Sequence, residues 1–537
     1  MAPILLDCTL RDGGYYNDWD FAPDLIEEYL QAMAAAKVDI VELGFRFLKV
    51  GGFKGACAFT TDEFLRSLAI PKNLTLGVMV NASDLVGDVP LEEALQRLFP
   101  VPASNTPVDL VRIASHSHEF EDALPACTWL RQRGYKVGFN LMQVSERSRD
   151  EVARLGELAS SQPIDVLYFA DSMGSMTPDR VSEIIAWFRE GWGGEIGIHT
   201  HDNMGFGLAN SLRAIEGGAR WIDATVTGMG RGPGNARTEE VAIEVASIRK
   251  EPGNFVPLFS LVRNRFGPMK AQYGWGTNPY YFLAGKYGIH PTFIQEMLAD
   301  PRYGDEDVLA VIDTLALEGG TKFSPERLAE ARHGFSAASN GSWSPRSEIE
   351  GRDVLILGSG PGVERHHAAL EVFVTRNQPI VMALNTQGGV REDLIDFRLA
   401  CHPVRLVADH LQHAEFPQPL IAPVDLLPQH TATFFSSKRL LDFGMSVKKG
   451  EFEVGETGCT LPSPLVSAYA LAVAAAGRAA QVYMAGFDGF AHGDPRNDEM
   501  STMLEAYASQ PSRPPLIAIT PSRFNLAEKQ SVYGLTR

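Results

Sequence analysis

Between residues 4 and 230 the chain repeats one beat eight times: a short apolar stretch, then an amphipathic one. The apolar stretches are Ile4–Thr9, Ile40–Leu43, Leu74–Val80, Leu110–Ala114, Lys136–Leu141, Val166–Ala170, Glu195–His199 and Trp221–Val226. Most are rich in β-branched residues and leucine, so they read as parallel strands covered on both faces. Pro23–Ala36, Leu91–Phe99, Glu151–Ser160, Pro178–Arg189 and Asn210–Glu216 read as intervening helices. Thr177 has N-cap chemistry, with proline at the first helical position after it. Eight such units predict an α/β fold of the (β/α)8 TIM barrel type, with an open doubly wound sheet as the alternative.

Barrels of this kind place their chemistry at the C-terminal ends of the strands. Here those ends carry Arg11-Asp12-Gly13-Gly14, Glu42 with Arg46 beyond it, His116 to Glu119, Asn140 and Gln143, Asp171-Ser172, His199 to Asn203, and a glycine-rich run to Asn235. His199 and His201 are two apart, so a strand turns both imidazoles to one face, where they can chelate a divalent metal. No lysine stands at these ends, which disfavours a Schiff-base mechanism.

These motifs, LDCTLRDGG, VELGF, ADSMGSMTP, HTHDNMG and GMGRGPGNARTEE, stand in an order and spacing that resembles the HMG-CoA lyase-like metal-dependent barrels. The resemblance covers roughly residues 1–300 and is nearest in look to 4-hydroxy-2-oxovalerate aldolase-like proteins. It implies that Asp12, His199 and His201 bind one Mn2+ or Mg2+, with Asn235 beside it. It implies a metal-dependent aldolase or C–C lyase acting through a pyruvate-type enolate, with an aldehyde as partner. Arg11 would steady the enolate. Glu42 would orient Arg11 or a metal-bound water, or satisfy buried polar groups at the barrel mouth, and Ser172, Arg46 and His118 are candidates to touch substrate. A Claisen-type acyl-CoA condensing enzyme and a non-catalytic scaffold or ligand sensor are the alternatives. The chain departs from the aldolase pattern at one place. The family's catalytic histidine, three residues after the metal aspartate, is here Tyr15. A tyrosine can act as acid or base only against a high ordinary pKa.

At 537 residues the chain is too long for one core. The barrel is expected over residues 1–245, a helical extension covering its mouth over 246–335, a Ser/Gly/Asn-rich linker over 336–351, and a Rossmann-like α/β domain over 352–537. In the last, Gly358, Gly360 and Gly362 follow a strand and open a helix, an anion-binding arrangement. A weak resemblance to sialyltransferase-like and pterin pyrophosphokinase-like domains implies a nucleotide site there, with Asp488. Asn385 stands where a dinucleotide fold would carry its acidic ribose partner. The pairing of domains suggests synthesis of a sugar acid, polysaccharide or natural product.

A net charge of −18 disfavours nucleic acid and anionic membrane as partners. Five scattered cysteines and an N-terminus without a basic, apolar leader fit a cytoplasmic protein. A homo-oligomer acting on small molecules is expected.

Overall fold

The structure, a computed structural model, describes residues 2–49, 51–333, 340–426, 435, 438–448 and 450–536. Two compact units divide the chain: Met1–Glu296 with Leu315–Phe323, and Met297–Thr314 with Ser324–Arg537. The segment read as an extension therefore contributes to both. Part of the expected linker, 336–339, lies outside the described residues; the rest holds the short helix Arg346–Ile349.

In the first unit β1 (Ile4–Asp7), β2 (Ile40–Phe45), β3 (Thr75–Asn81), β4 (Leu110–Ser115), β5 (Lys136–Leu141), β6 (Val166–Ala170), β7 (Glu195–His199) and β8 (Trp221–Ala224) close into a parallel barrel. The chemistry of the strands explains the closure. β2 and β4 are buried along their whole length, as strands between a filled barrel and a layer of helices must be. Side-chain alternation turns Ile40 and Glu42, Leu110 and Arg112, Val166 and Tyr168, and Trp221 and Asp223 to one face. The lower members form an apolar cluster of Leu6, Cys8, Ile40, Leu110, Val166, Tyr168 and Trp221. Glycine makes room for the large ones: a Cβ at Gly138 would lie 2.9 Å from Arg112 Cγ, and one at Gly197 2.4 Å from the Tyr168 ring.

Of the boundaries that differ from the sequence expectation, three have clear local reasons. β1 stops at Asp7 because its carboxylate turns back to accept the Thr9 amide at 2.8 Å, which starts the helix Thr9–Gly13. The helix expected from Glu151 begins at Arg149, since Ser148 and Glu151 form a reciprocal capping box. β8 ends at Ala224, and Thr227 then takes a left-handed conformation (φ 55°). Beyond residue 245 the chain is helical, as expected, through Val256–Leu261, Gly267–Tyr273, Pro279–Tyr287, Pro291–Ala299, Asp305–Glu318 and Pro325–His333.

The second unit holds an open, parallel eight-stranded sheet. Its strands are β9 (Asp353–Leu357), β10 (Ile380–Leu384), β11 (Phe397–Leu399), β12 (Leu420–Ala422) and β13 (Leu440–Asp442), and after a small sheet of β14 (Gly444–Val447), β15 (Glu453–Val454) and β16 (Gly458–Leu461), β17 (Gln481–Ala485), β18 (Leu516–Ala518) and β19 (Glu528–Lys529). The order is β13-β12-β11-β10-β9-β17-β18-β19. The chain thus winds outward from β9 and returns to wind the other way from β17. Val466–Ala476, the most apolar run, is a helix buried from Ser467 to Ala474. Among the described residues no helix is long and apolar enough to cross a membrane.

Candidate active site at the barrel mouth

Six side chains, two from the helix after β1 and one each from β2, β4, β7 and β8, close into a ring of charge. Arg11 donates from Nη1 to Asp12 Oδ1 at 2.7 Å and from Nε to Glu42 Oε1 at 2.8 Å. Glu42, fully buried, accepts Arg112 Nε at 2.6 Å and Nη2 at 2.8 Å. Arg112 Nη1 continues to Asp223 Oδ2 at 2.7 Å. Asp223 Oδ2 lies 3.0 Å from His199 Nδ1, and His199 Nε2 returns to within 3.7 Å of Asp12 Oδ2. Asp223 thereby fixes the orientation of the imidazole from behind, leaving Nε2 toward Asp12.

Burial alone would raise the Asp12 carboxyl; Arg11, followed by the two imidazoles, instead holds it well below the usual carboxylate range. Burial, with His199 beside it, pushes His201 down to about 3, so its imidazole is neutral near pH 7. One carboxylate and two imidazoles are a divalent-metal donor set. Their ligand atoms all lie within 4.8 Å of one another. His201 Nδ1, Asn235 Oδ1 and Arg11 Nη2 are buried with no hydrogen-bond partner, which a packed core does not tolerate without cause. Asn235 donates to Asp12 Oδ2, and its backbone bridges to His201. Glycine permits this approach: a Cβ at Gly230 would lie 2.5 Å from Asn235 Nδ2 and 2.9 Å from Asp12 Oδ2. A second trio, Cys8, His199 and Asp223, also converges. Burial pushes the Cys8 thiol well up and Arg112 already occupies Asp223, so this trio fits support beneath the site better than a metal cage.

Above the ring opens a cavity of about 170 Å³. Arg11, Asp12, His199 and His201 form its floor; Tyr15, His116, Asn140, Gln143 and Ser172 stand on its walls. His290, Thr292 and Gln295 of the extension complete it.

A family model described as HMGL-like matches residues 2–254. The 4-hydroxy-2-oxovalerate aldolase of Pelotomaculum thermopropionicum is 30% identical over 46% of this chain and 70% of its own. The chain belongs to the HMGL-like family. An oxaloacetate decarboxylase from Mycobacterium tuberculosis is 25% identical over 62% of this chain and 97% of its own. Among solved structures, the N-terminal domain of a candidate aldolase from Bacteroides vulgatus is 30% identical, covering 55% of this chain and 96% of that one, with a TM-score of 0.50.

In this HMGL-like barrel the expected residues do not all converge. Arg11, Asp12, Tyr15, Ser172, His199 and His201 line the cavity. Glu42 does not; it lies beneath, bonded to Arg11 and Arg112. Arg46 is a correction: its guanidinium serves Thr60 O, Leu98 O and Asp62 and lies over the Phe99 ring, away from the cavity. His118 is another. Its side chain is 76% exposed and stacks on His116, which takes the cavity position instead. Tyr15 packs edge-on against Trp19 at 4.8 Å, and the Arg231 guanidinium lies 4.5 Å from its ring centre. Arg112, Asp223 and His290 were missed by motif reading. The available signal was a charged residue inside an apolar strand, as in LVRIAS and WIDA.

The glycine loop after β9 gives no support to the expected cofactor site. Gly358, Gly360, Gly362 and Asp488 do meet, but they bind one another. The Gly362 amide donates to Asp488 Oδ2 at 3.0 Å and the Gly360 amide to Gly486 O at 2.9 Å. A Cβ at Gly360 would lie 2.3 Å from Asp488 Oδ2. Close packing accounts for the glycines, and the Asp488 carboxylate takes up the Gly362 amide.

Proposed function

We propose that the barrel is a divalent-metal-dependent lyase of the pyruvate-aldolase type, making or breaking a C–C bond between a 2-oxo acid and an aldehyde. The observation that carries this reading is the convergence of buried, unpartnered Arg11 Nη2 and His201 Nδ1 with Asp12 and His199 on one small cavity, with the unpartnered Asn235 Oδ1 on the side chain bonded to Asp12. The names of the relatives support it, since an aldolase and a decarboxylase of 2-oxo acids share one intermediate, the enolate.

A divalent ion held by Asp12, His199 and His201 would supply Lewis-acid polarisation of the 2-oxo acid. The rest falls to the chain. Arg11 is clamped by Asp12 and Glu42, so its remaining Nη2 donor is preorganised toward an oxygen that gains negative charge. Arg112 holds Glu42 and Asp223 at fixed positions, which keeps both Arg11 and His199 in register. Ser172, whose hydroxyl oxygen accepts the Gln143 amide at 3.1 Å, can donate its proton to a substrate carboxylate. Among the described residues no lysine lines the cavity, so a Schiff base has no amine to form on.

The test is deuterium exchange into the methyl group of pyruvate, with and without Mn2+. Metal-dependent exchange that disappears in Asp12→Asn is the expected result. Exchange that persists in the variant at full rate and full metal content would overturn the reading.

A further inference from the structure

Position 15 carries a tyrosine, and the cavity offers two histidines outside the metal cluster, His116 and His290. His290 differs from His116 in how its ring is anchored. It precedes the helix Pro291–Ala299, and its Nδ1 accepts the Thr292 amide at 3.3 Å, as an N-cap would. A nitrogen that accepts a backbone N–H carries no proton, so the neutral ring bears its proton on Nε2, on the edge away from the helix. The ring lines the cavity together with Thr292 and Gln295.

We propose that His290 is the specificity-determining donor for the second substrate: its Nε2–H hydrogen-bonds the aldehyde oxygen, which is the C4 hydroxyl oxygen in the joined product. This rests on the lyase reading above. His290 keeps its proton throughout; the role is a preorganised hydrogen bond to an oxygen whose charge changes as the C–C bond forms or breaks. The surroundings favour a neutral ring. Burial lowers the imidazole to about 4, and the charged or titratable groups facing it, Arg231 and His116, act in the same direction. Among the described residues no carboxylate acts on the ring to draw a second proton onto it. The helical extension thus has a chemical use: it brings a donor to the cavity from outside the eight strand ends.

The experiment compares wild type, His290→Asn and His290→Gln in two assays on the full chain. One is Mn2+-dependent deuterium exchange into pyruvate. The other is cleavage of 4-hydroxy-2-oxo acids made from pyruvate with acetaldehyde, glycolaldehyde or glyceraldehyde. Asparagine can still cap the helix but falls short of the cavity; glutamine reaches further and restores a donor. The expected result is a loss of about 10²-fold in kcat/KM for cleavage by His290→Asn. Exchange should change far less, His290→Gln should recover part of the loss, and the loss factor should be the same at pH 6 and pH 8. Equal losses in both assays, no loss in either, or a loss confined to one side of a titration would overturn the proposal. Wild-type exchange without cleavage of any of these acids would also overturn it. Wild type that does not exchange at all would instead overturn the lyase reading.

Discussion

Both units present the C-terminal ends of parallel strands, the edge where α/β folds gather ligands. They differ in what happens to the polar groups there. At the barrel mouth Arg11 Nη2, His201 Nδ1 and Asn235 Oδ1 are buried and unpartnered. At the end of β9 the amides of Gly358, Gly360 and Gly362 are all taken, by Ala485 O, Gly486 O and Asp488. Unmet polar groups are costly, of the order of 1–3 kcal/mol each, and are kept only where something else uses them. A glycine-rich turn is different: its pattern is the same whether it holds an anion or packs on its own chain.

The largest expected effect breaks the ring at its most buried member. Arg112 is fully buried between Glu42 and Asp223. Arg112→Met leaves two buried carboxylates facing each other and should cost about 3–5 kcal/mol. The measurement is urea unfolding of the barrel. A cost below about 1 kcal/mol would mean that the ring is dispensable to the fold, and that the mouth is no more demanding than the glycine turn. Asp12→Asn comes next, keeping shape but removing a charged ligand. Mn2+ binding by calorimetry should become undetectable and turnover should fall on the order of 10³-fold.

How legible this was depended on spacing. Three of the eight strands run as their residues predicted, Lys136–Leu141, Val166–Ala170 and Glu195–His199. The motif residues Asp12, His199 and His201 meet because Asp12 lies in the short helix that follows β1 and the two histidines lie at and just past the end of β7. Arg112 and Asp223 were not legible in this way. A lone charge in an apolar strand has many readings, and only barrel closure brings β4 and β8 to the same interior point. His290 lies outside the strand ends altogether, and only tertiary packing delivers it. At Arg46 the opposite error occurred: its place after β2 suggested the mouth, but Asp62 and two carbonyls hold it outside.

Two intermediate changes sharpen the contrast. Asp223→Asn removes the charge behind His199 and should weaken metal affinity about 10–100-fold with the fold retained. Gly360→Ala places a Cβ 2.3 Å from Asp488 Oδ2 and 2.5 Å from Gly486 O. It should destabilise the second unit by about 1–3 kcal/mol while barrel turnover is unchanged. A Gly360→Ala protein of full stability would remove the packing account and reopen the turn as a ligand site.

The smallest effect, taken per pH unit, is a pH dependence. His290 is held at about 4 in the folded barrel by burial, against about 6.5 in an unfolded chain. Below pH 6.5 the unfolded chain takes up a proton that the folded chain refuses until about pH 4. Stability from this site is therefore full above pH 6.5 and declines as pH falls toward 4. The limit is about 1.4 kcal/mol per pH unit, and partial exposure reduces it to about 1. Metal-free wild type and His290→Asn, unfolded in urea at pH 7, 6, 5 and 4, should show a stability difference that moves against wild type with each acid step. A difference that stays constant would mean the ring is solvated, and a solvated ring could not serve as a preorganised donor.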